Sequence, residues 1–292
     1  MRILFVNNGI HHKNHDAIRK YKNIEWVETQ SIETLANLNT FDCVFCPSAP
    51  SSPIDVSKYP NTFFIFGPHF SVFPDNKISL IKGDNAVYNA LSQWNTNGWK
   101  RFDIASGLKI VTIPFGVDTR TFNEIIPINQ RHSVFVYYKH RSPKDLAHIG
   151  QFLQKQNIQY EFFNYSLRYD EAIYIRQLQH SRYGIWVDAH ESQGFALQEA
   201  LSCNVPLLVW SVTSMNQEYG SSYDDIPATT VPYWDDRCGE VFYKEEDLEA
   251  AFSRFMTKLG QDAYRPRDYV IENLSIEMCE LKLIDEIFQY SI

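Results

Sequence analysis

Several of the marks by which an enzyme is usually recognised are missing from this chain. There is no G-x-x-x-x-G-K-[ST], no G-x-G-x-x-G and no G-x-S-x-G. That removes the phosphate cradle of the P-loop enzymes, the dinucleotide fingerprint and the nucleophile elbow. No D-x-D occurs either, since Asp224-Asp225 and Asp235-Asp236 are adjacent pairs. Cysteine is scarce, and five in 292 residues make no disulfide framework. Cys43 and Cys46 form a C-x-x-C, but 42–46 reads as a strand with no helix opening between the thiols, so buried free cysteines are expected rather than a redox pair. No apolar run approaches membrane-spanning length, and Ile3-Leu-Phe-Val6 is too short for the core of a signal peptide. A cytoplasmic protein is expected, soluble or peripheral at a membrane. Basic charge is also lacking: a net charge of −8 argues against nucleic acid as the main partner. No internal repeat or low-complexity tract interrupts the chain.

What is present is ample material for a core. With 44% hydrophobic and 15% aromatic residues, 292 residues suffice for two domains. The charge is uneven: residues 1–122 hold 12 Lys and Arg against 10 Asp and Glu, leaving 15 against 25 for the rest. The nearly neutral first part leaves room for an anionic acceptor or a membrane surface.

The first part reads as a strand series. Arg2–Val6 is a buried strand turned by Asn7-Asn8-Gly9, and 24–27, 41–45, 61–66 and 109–113 continue the series, with a short helical stretch between the second and third. His11, His12 and His15 have no partners at metal-ligand spacing, so a solvated loop is expected and no metal. Asp84 is expected to cap a helix running through Ala86, Val87, Ala90, Leu91 and Trp94. His69 lies just past the carboxyl end of the 61–66 strand.

The second part is organised around 183–210. Tyr183–Asp188 is a short apolar strand, and after Gly194 the period changes, with Phe195, Leu197, Ala200 and Leu201 at helical spacing. Asn204 suits the left-handed end of that helix, Pro206 forbids continuation, and 207–210 starts another strand. The stretch is half of a parallel α/β unit, and its loop lies where ligands of open sheets bind. Two carboxylates sit there, Glu191 in the loop and Glu199 in the helix. Gly194 lets backbone approach a ligand, and the first N–H groups of the helix favour a phosphate. A carboxylate for sugar hydroxyls beside N–H groups for phosphates is what a sugar nucleotide needs.

This ordered string resembles the signature of the family 4 retaining glycosyltransferases. Glu191, Gly194-Phe195, Glu199-Ala200-Leu201 and Pro206 match it, while Asn204 replaces a Gly and Gln193 stands where an aromatic is common. A second resemblance is Pro114-Phe-Gly-Val-Asp118 with Phe122, where such enzymes commonly end their first domain with Pro-Asn-Gly-Val-Asp; Phe115 is the departure. A third is the basic loop after 133–138, whose Lys139 and Lys144 have the spacing of the family's diphosphate-neutralising Arg and Lys, with Arg141 as an extra candidate and Tyr138 in place of the usual Gly.

The resemblance implies an α/β fold of the GT-B type, two doubly wound Rossmann-like domains with an interdomain cleft. Residues 1–122 would form the acceptor-side domain, 123–268 the nucleotide-sugar-binding domain, and 269–292 a last helix packing back on the first. It implies transfer of a sugar from a nucleotide-sugar donor to a glycan, lipid or other acceptor, with retention and without metal or cofactor. Glu199 would hold the ribose and Glu191 the donor sugar. Gly194 and Phe195 would offer N–H to phosphate, and Lys139 and Lys144 would meet the charge of the departing diphosphate. Asn8, Gly9 and His69 would line the wall of the first domain, His69 touching the transferred sugar or its acceptor. Two rivals remain open: an inverting transferase or epimerase of the same fold, with His69 or His11 as base, and a non-catalytic relative that binds a nucleotide sugar or a protein.

Overall fold

The computed structural model describes residues 1–32, 37–48, 54–69, 74, 83–167 and 169–290. It divides into two compact units, Met1–Gly116 together with Leu274–Ile292, and Val117–Asn273.

In the first unit the chain runs β1 (Arg2–Val6), α1 (His12–Ile18), β2 (Glu25–Thr29), β3 (Cys43–Cys46), β4 (Phe63–Phe66), β5 (Ala86–Ala90), α2 (Gln93–Trp99) and β6 (Ile110–Thr112). The six strands form one parallel sheet in the order β2-β1-β3-β4-β5-β6. Strands β3, β4 and β5 are buried at every position, as a parallel sheet covered on both faces requires. Cys43 and Cys46 are buried free thiols on β3, and burial pushes both well above the usual thiol range, which makes them inert. Part of the helical stretch expected between the second and third strands, 33–36, lies outside the described residues; within them a single tight turn occupies Leu38–Thr40.

Two local expectations are corrected here. The 86–94 segment is not a helix led by Asp84 but strand β5 followed by α2. Its apolar residues mimic helical spacing because a strand buried on both faces carries no period of two. Tertiary bonds decide the matter. The Asn85 amide donates to Val56, Tyr59 and Thr62 carbonyls at 3.2, 2.9 and 2.7 Å, and Asn89 donates to Ile113 O at 3.0 Å. The histidine segment is a short helix, α1, rather than a loop. His11 accepts the Lys13 N–H at its start, and Asn14, Ala17 and Ile18 are buried.

The second unit runs β7 (Ser133–Lys139), α3 (Pro143–Lys155), β8 (Glu161–Asn164), α4 (Glu171–His180), β9 (Ser181–Asp188), α5 (Phe195–Ser202), β10 (Leu207–Trp210), β11 (Gly239–Phe242), α6 (Leu248–Gly260) and α7 (Pro266–Leu274). Its five strands are again all parallel, in the order β11-β10-β9-β7-β8. Val134, Val136, Ile185, Val187 and Leu208 form the centre of a core closed by Ile149, Leu153 and Phe255. Asn204 takes the left-handed conformation expected of it, with φ of 59°, and Val205 N–H closes on Ala200 O at 3.1 Å. Strand β11 carried no recognisable signal, being four residues long with two half-exposed positions. Arg267 ties the entry of this unit to its centre, its guanidinium donating to Thr119, Phe122 and Ser202 carbonyls.

The last stretch is two helices, α7 and α8 (Ile276–Tyr290), broken at Ser275. Helix α8 belongs to the first unit and buries Ile276, Cys279, Leu283 and Ile287 there. Gly116 is what lets it approach: a Cβ on Gly116 would stand 2.5 Å from Ile276 Cα. Tyr290 stacks on Phe63 at 4.9 Å, and Glu280 accepts from the Asn23 amide at 3.2 Å. No helix among the described residues is long and apolar enough to cross a membrane.

Candidate functional site

In a doubly wound sheet the crevice opens at the carboxyl ends of the two strands from which the chain winds in opposite directions. In the second unit these are β7 and β9, because β8 lies on one side of β7 while β9, β10 and β11 lie on the other. Lys139 ends β7, Asp188 ends β9, and the two are paired in register. Lys139 and the loop carrying Glu191 therefore lie at the two strand ends at which the winding direction changes.

Lys139 Nζ donates to Glu191 Oε1 and also sits 4.7 Å from the centre of the Tyr165 ring. Their side chains are only 15% and 17% exposed, so little solvent screens the pair. Glu191 is placed by its backbone, whose N–H donates to Thr229 O at 3.1 Å. Thr230 reinforces the same loop, its hydroxyl lying 3.1 and 2.7 Å from the Asp188 and Ala189 carbonyls. Gly194 then turns the chain into α5 at φ of 80°, a conformation costly for any residue with a Cβ. Gly194, at the N-cap of α5, has no side chain to cap the helix, and the first turn starts at Phe195 beside the Glu191 loop. Glu199 lies one turn further on, 3% exposed.

The electrostatics of this cluster follow from burial and one cation. Burial pushes the Asp188 carboxyl well up, and the Glu191 charge adds to that while Lys139 opposes it. Burial would also raise Glu191, but the Lys139 ammonium and the hydrogen bonds from Asp188 and Lys139 outweigh it, leaving Glu191 below the usual carboxylate range. Lys139 is raised, the Glu191 and Asp188 carboxyls overcoming its desolvation. Lys139 and Glu191 thus each favour their charged form, while the Asp188 carboxyl is pushed toward its neutral one. His190 is pushed down to about 4, chiefly by burial, and stays neutral. Glu218 stands between two imidazoles, 3.3 Å from His190 Nδ1 and 3.4 Å from His140 Nδ1.

The other expected residues fall differently. Arg141 is 4% exposed, and its guanidinium donates to Asp145 at 2.9 Å, Trp210 O at 2.9 Å and Asp188 O at 3.2 Å. It pins the ends of β9 and β10 and stacks over Trp210. Lys144 is exposed on the first turn of α3, whose start Ser142 caps by accepting the Lys144 N–H at 3.2 Å. In the first unit Asn8 and Gly9 are exposed at the end of β1, which with β3 flanks that sheet's own change of winding direction. His69 is half-buried with φ of 49°, edge-on to Tyr88 at 5.3 Å, its N–H bonded to Pro47 O. Asp188, His190 and Glu218 escaped sequence reasoning. For Asp188 a signal existed, an ionisable residue closing an otherwise apolar strand. Among the described residues, no group of three or more His, Cys, Asp or Glu is placed to hold a metal ion.

By sequence, no family model and no curated protein matches the chain. By structure it is similar to AviGT4, a glycosyltransferase involved in avilamycin A biosynthesis, with a TM-score of 0.59 and 10% identity over 100% of this chain and 98% of that one. It is similar to the N-terminal domain of trehalose-6-phosphate phosphatase from Candida albicans, with a TM-score of 0.59 and 9% identity over 100% and 97% of the two chains. The catalytic domain of starch synthase IV from Arabidopsis thaliana, bound to ADP and acarbose, gives 0.55 and 11% over 86% and 73%. At such identities the likeness is one of fold, and the fold is α/β of the GT-B class, two doubly wound parallel sheets.

Proposed function

We propose that this chain is a glycosyltransferase that takes a sugar from a nucleotide-sugar donor and passes it to a hydroxyl of a glycan or of a lipid at a membrane surface. The observation that carries the reading is the Lys139–Glu191 pair at the change of winding direction in the second unit, beside the start of α5. Glu191 accepts hydroxyls of the donor sugar and Glu199 those of the ribose. The Gly194–Phe195 turn offers N–H groups to the diphosphate. Lys139 uses one of three N–H donors on Glu191 and has others for phosphate, with Lys144 on the neighbouring helix start. Arg141 holds the strand ends that carry Lys139 and Glu191 in place. Charge growing on the leaving diphosphate is met by these groups in a partly dry site, without a metal. Retention fits this arrangement, because the leaving phosphate can take the acceptor's proton on the face it departs from. Asn8, Gly9 and His69 serve the acceptor side.

The test is a panel of UDP-, GDP- and ADP-sugars, read by thermal stabilisation and by slow donor hydrolysis. One donor class should raise the melting temperature, by roughly 2.7 kcal/mol of stability at a hundredfold excess over Kd. The product released from that donor should keep the anomeric configuration. Stabilisation by none of the three classes would refute the reading, and an inverted product would refute its stereochemical part.

A further inference from the structure

Asp188 ends β9 with its side chain wholly buried. Its Oδ1 accepts the Ala189 N–H at 2.7 Å, whereas its Oδ2 accepts from no donor among the described residues. Its carboxyl is within hydrogen-bond reach of the Glu191 carboxyl. Two carboxylates offer only acceptors to each other, so two buried carboxyls in contact need a proton between them. The count of charge agrees. Lys139 is the ammonium facing both carboxyls, and one ammonium balances one anion. Arg141 donates to the main-chain oxygen of Asp188 and is itself balanced by Asp145. Two further titratable groups near the pair, Tyr137 and His190, favour their neutral forms. Tyr137 on β7 is raised well above its ordinary value by burial, and His190, in the same loop, is held deprotonated by burial. Asp188 is the deeper of the two acids, with Glu191 retaining 17% of its side-chain exposure, so the proton resides on Asp188.

We propose that Asp188 is a positioning residue: as a buried carboxylic acid it donates to the Glu191 carboxylate and, opposite Lys139, holds that carboxylate as a single fixed anion. Its bearing on catalysis rests on Glu191 being the donor-sugar carboxylate proposed above; the shared proton does not. Loss of this hydrogen bond would weaken the hold on Glu191, because Lys139, its cation, is also needed by phosphate. At alkaline pH, loss of the proton would put two carboxylates against one ammonium and displace Glu191.

The test compares wild type with Asp188→Asn, which keeps an N–H donor and cannot ionise, and with Asp188→Leu, which keeps volume but no donor. In infrared difference spectra at pH 7, wild type minus Asp188→Asn should show the carbonyl band of a protonated carboxylic acid. A folded-state pKa raised above the unfolded value, about 3.9, contributes stability that is present below the unfolded value and lost as pH rises through the folded one. Asp188→Asn escapes that loss, so its melting temperature should gain on wild type as pH rises from 4 to 8. With UDP-glucose, GDP-mannose and ADP-glucose as probes, Asp188→Asn should keep kcat within about threefold and lose the alkaline fall. Asp188→Leu should lower kcat by roughly ten- to a hundredfold, the cost of a misplaced reacting group. Absence of the carboxylic acid band, or a melting difference that ignores pH, overturns the shared proton. Asp188→Asn losing as much activity as Asp188→Leu overturns the positioning role. The band and the melting difference decide the shared proton whether or not any of the three sugars is turned over, so failure of the transferase reading would show separately.

Discussion

Replacing Lys139 by Met removes the ammonium facing Glu191 and nearly preserves volume, which makes the cost of the buried charge measurable. In the native protein Glu191 lies below the usual carboxylate range and is ionised at pH 5 and pH 7 alike. Without Lys139 it has two choices. It can stay a mostly buried anion without the Lys139 ammonium, at a cost of up to about 3–5 kcal/mol, or it can take a proton. Holding a proton against a reference value of about 4.3 costs about 3.7 kcal/mol at pH 7 and about 1 kcal/mol at pH 5. The cheaper choice sets the ceiling, roughly 3–4 kcal/mol at pH 7 and about 1 at pH 5, and relief of the Lys139 desolvation lowers both. The native carboxylate, with its depressed pKa, contributes stability above its unfolded value that is lost as pH falls through the folded one. In Lys139→Met the raised carboxyl behaves oppositely, so the gap between the proteins opens as pH rises. At about 2–4 °C per kcal/mol for a unit of this size, calorimetry should record a drop of at most roughly 6–16 °C at pH 7 and at most roughly 2–4 °C at pH 5. A gap equal at both pH values, or larger at pH 5, would refute the charge pairing of Lys139 with Glu191.

Other consequences can be measured alongside it. His190 should remain neutral to about pH 4 by NMR titration; the stability its neutral form provides above an unfolded value of about 6.5 should be lost as pH falls toward 4, and His190→Gln should flatten that slope. Gly194→Ala should cost about 1–2 kcal/mol from the left-handed turn and weaken donor-dependent thermal stabilisation, although a Cβ there would meet only ordinary contacts at 3.5 Å; an unchanged melting temperature would argue against the turn. Glu199→Ala should weaken donor binding and Glu191→Ala should mainly lower turnover, and unchanged kinetics in both would discard the assignment of either glutamate.

Much of the second unit was legible in the residue order. The strand through Asp188, the left-handed helix end at Asn204 and the strand after Pro206 each depend on local rules: burial of short apolar runs, tolerance of positive φ, and the proline ring. Those rules act within a few residues, so they survive without an alignment. They failed at β5, whose apolar residues carry no period once both faces are covered, and at β11, too short to register against its turns. They failed also at α1, a seven-residue helix held by what it buries rather than by helix propensity.

The residue order by itself determined two α/β stretches, a carboxylate loop ahead of a helix start and a set of basic residues near it. It left the basic residues alike, three cations within six positions. Only the tertiary structure separated them, turning Arg141 inward onto Asp188 and Trp210 carbonyls, leaving Lys144 in water and setting Lys139 against Glu191. It also buried Asp188 completely near Glu191, at a depth that pushes the Asp188 carboxyl up. The reason is that charge state and partner choice depend on distance and burial, and both are set by strand register across β7 and β9, pairing residues some fifty positions apart in the chain.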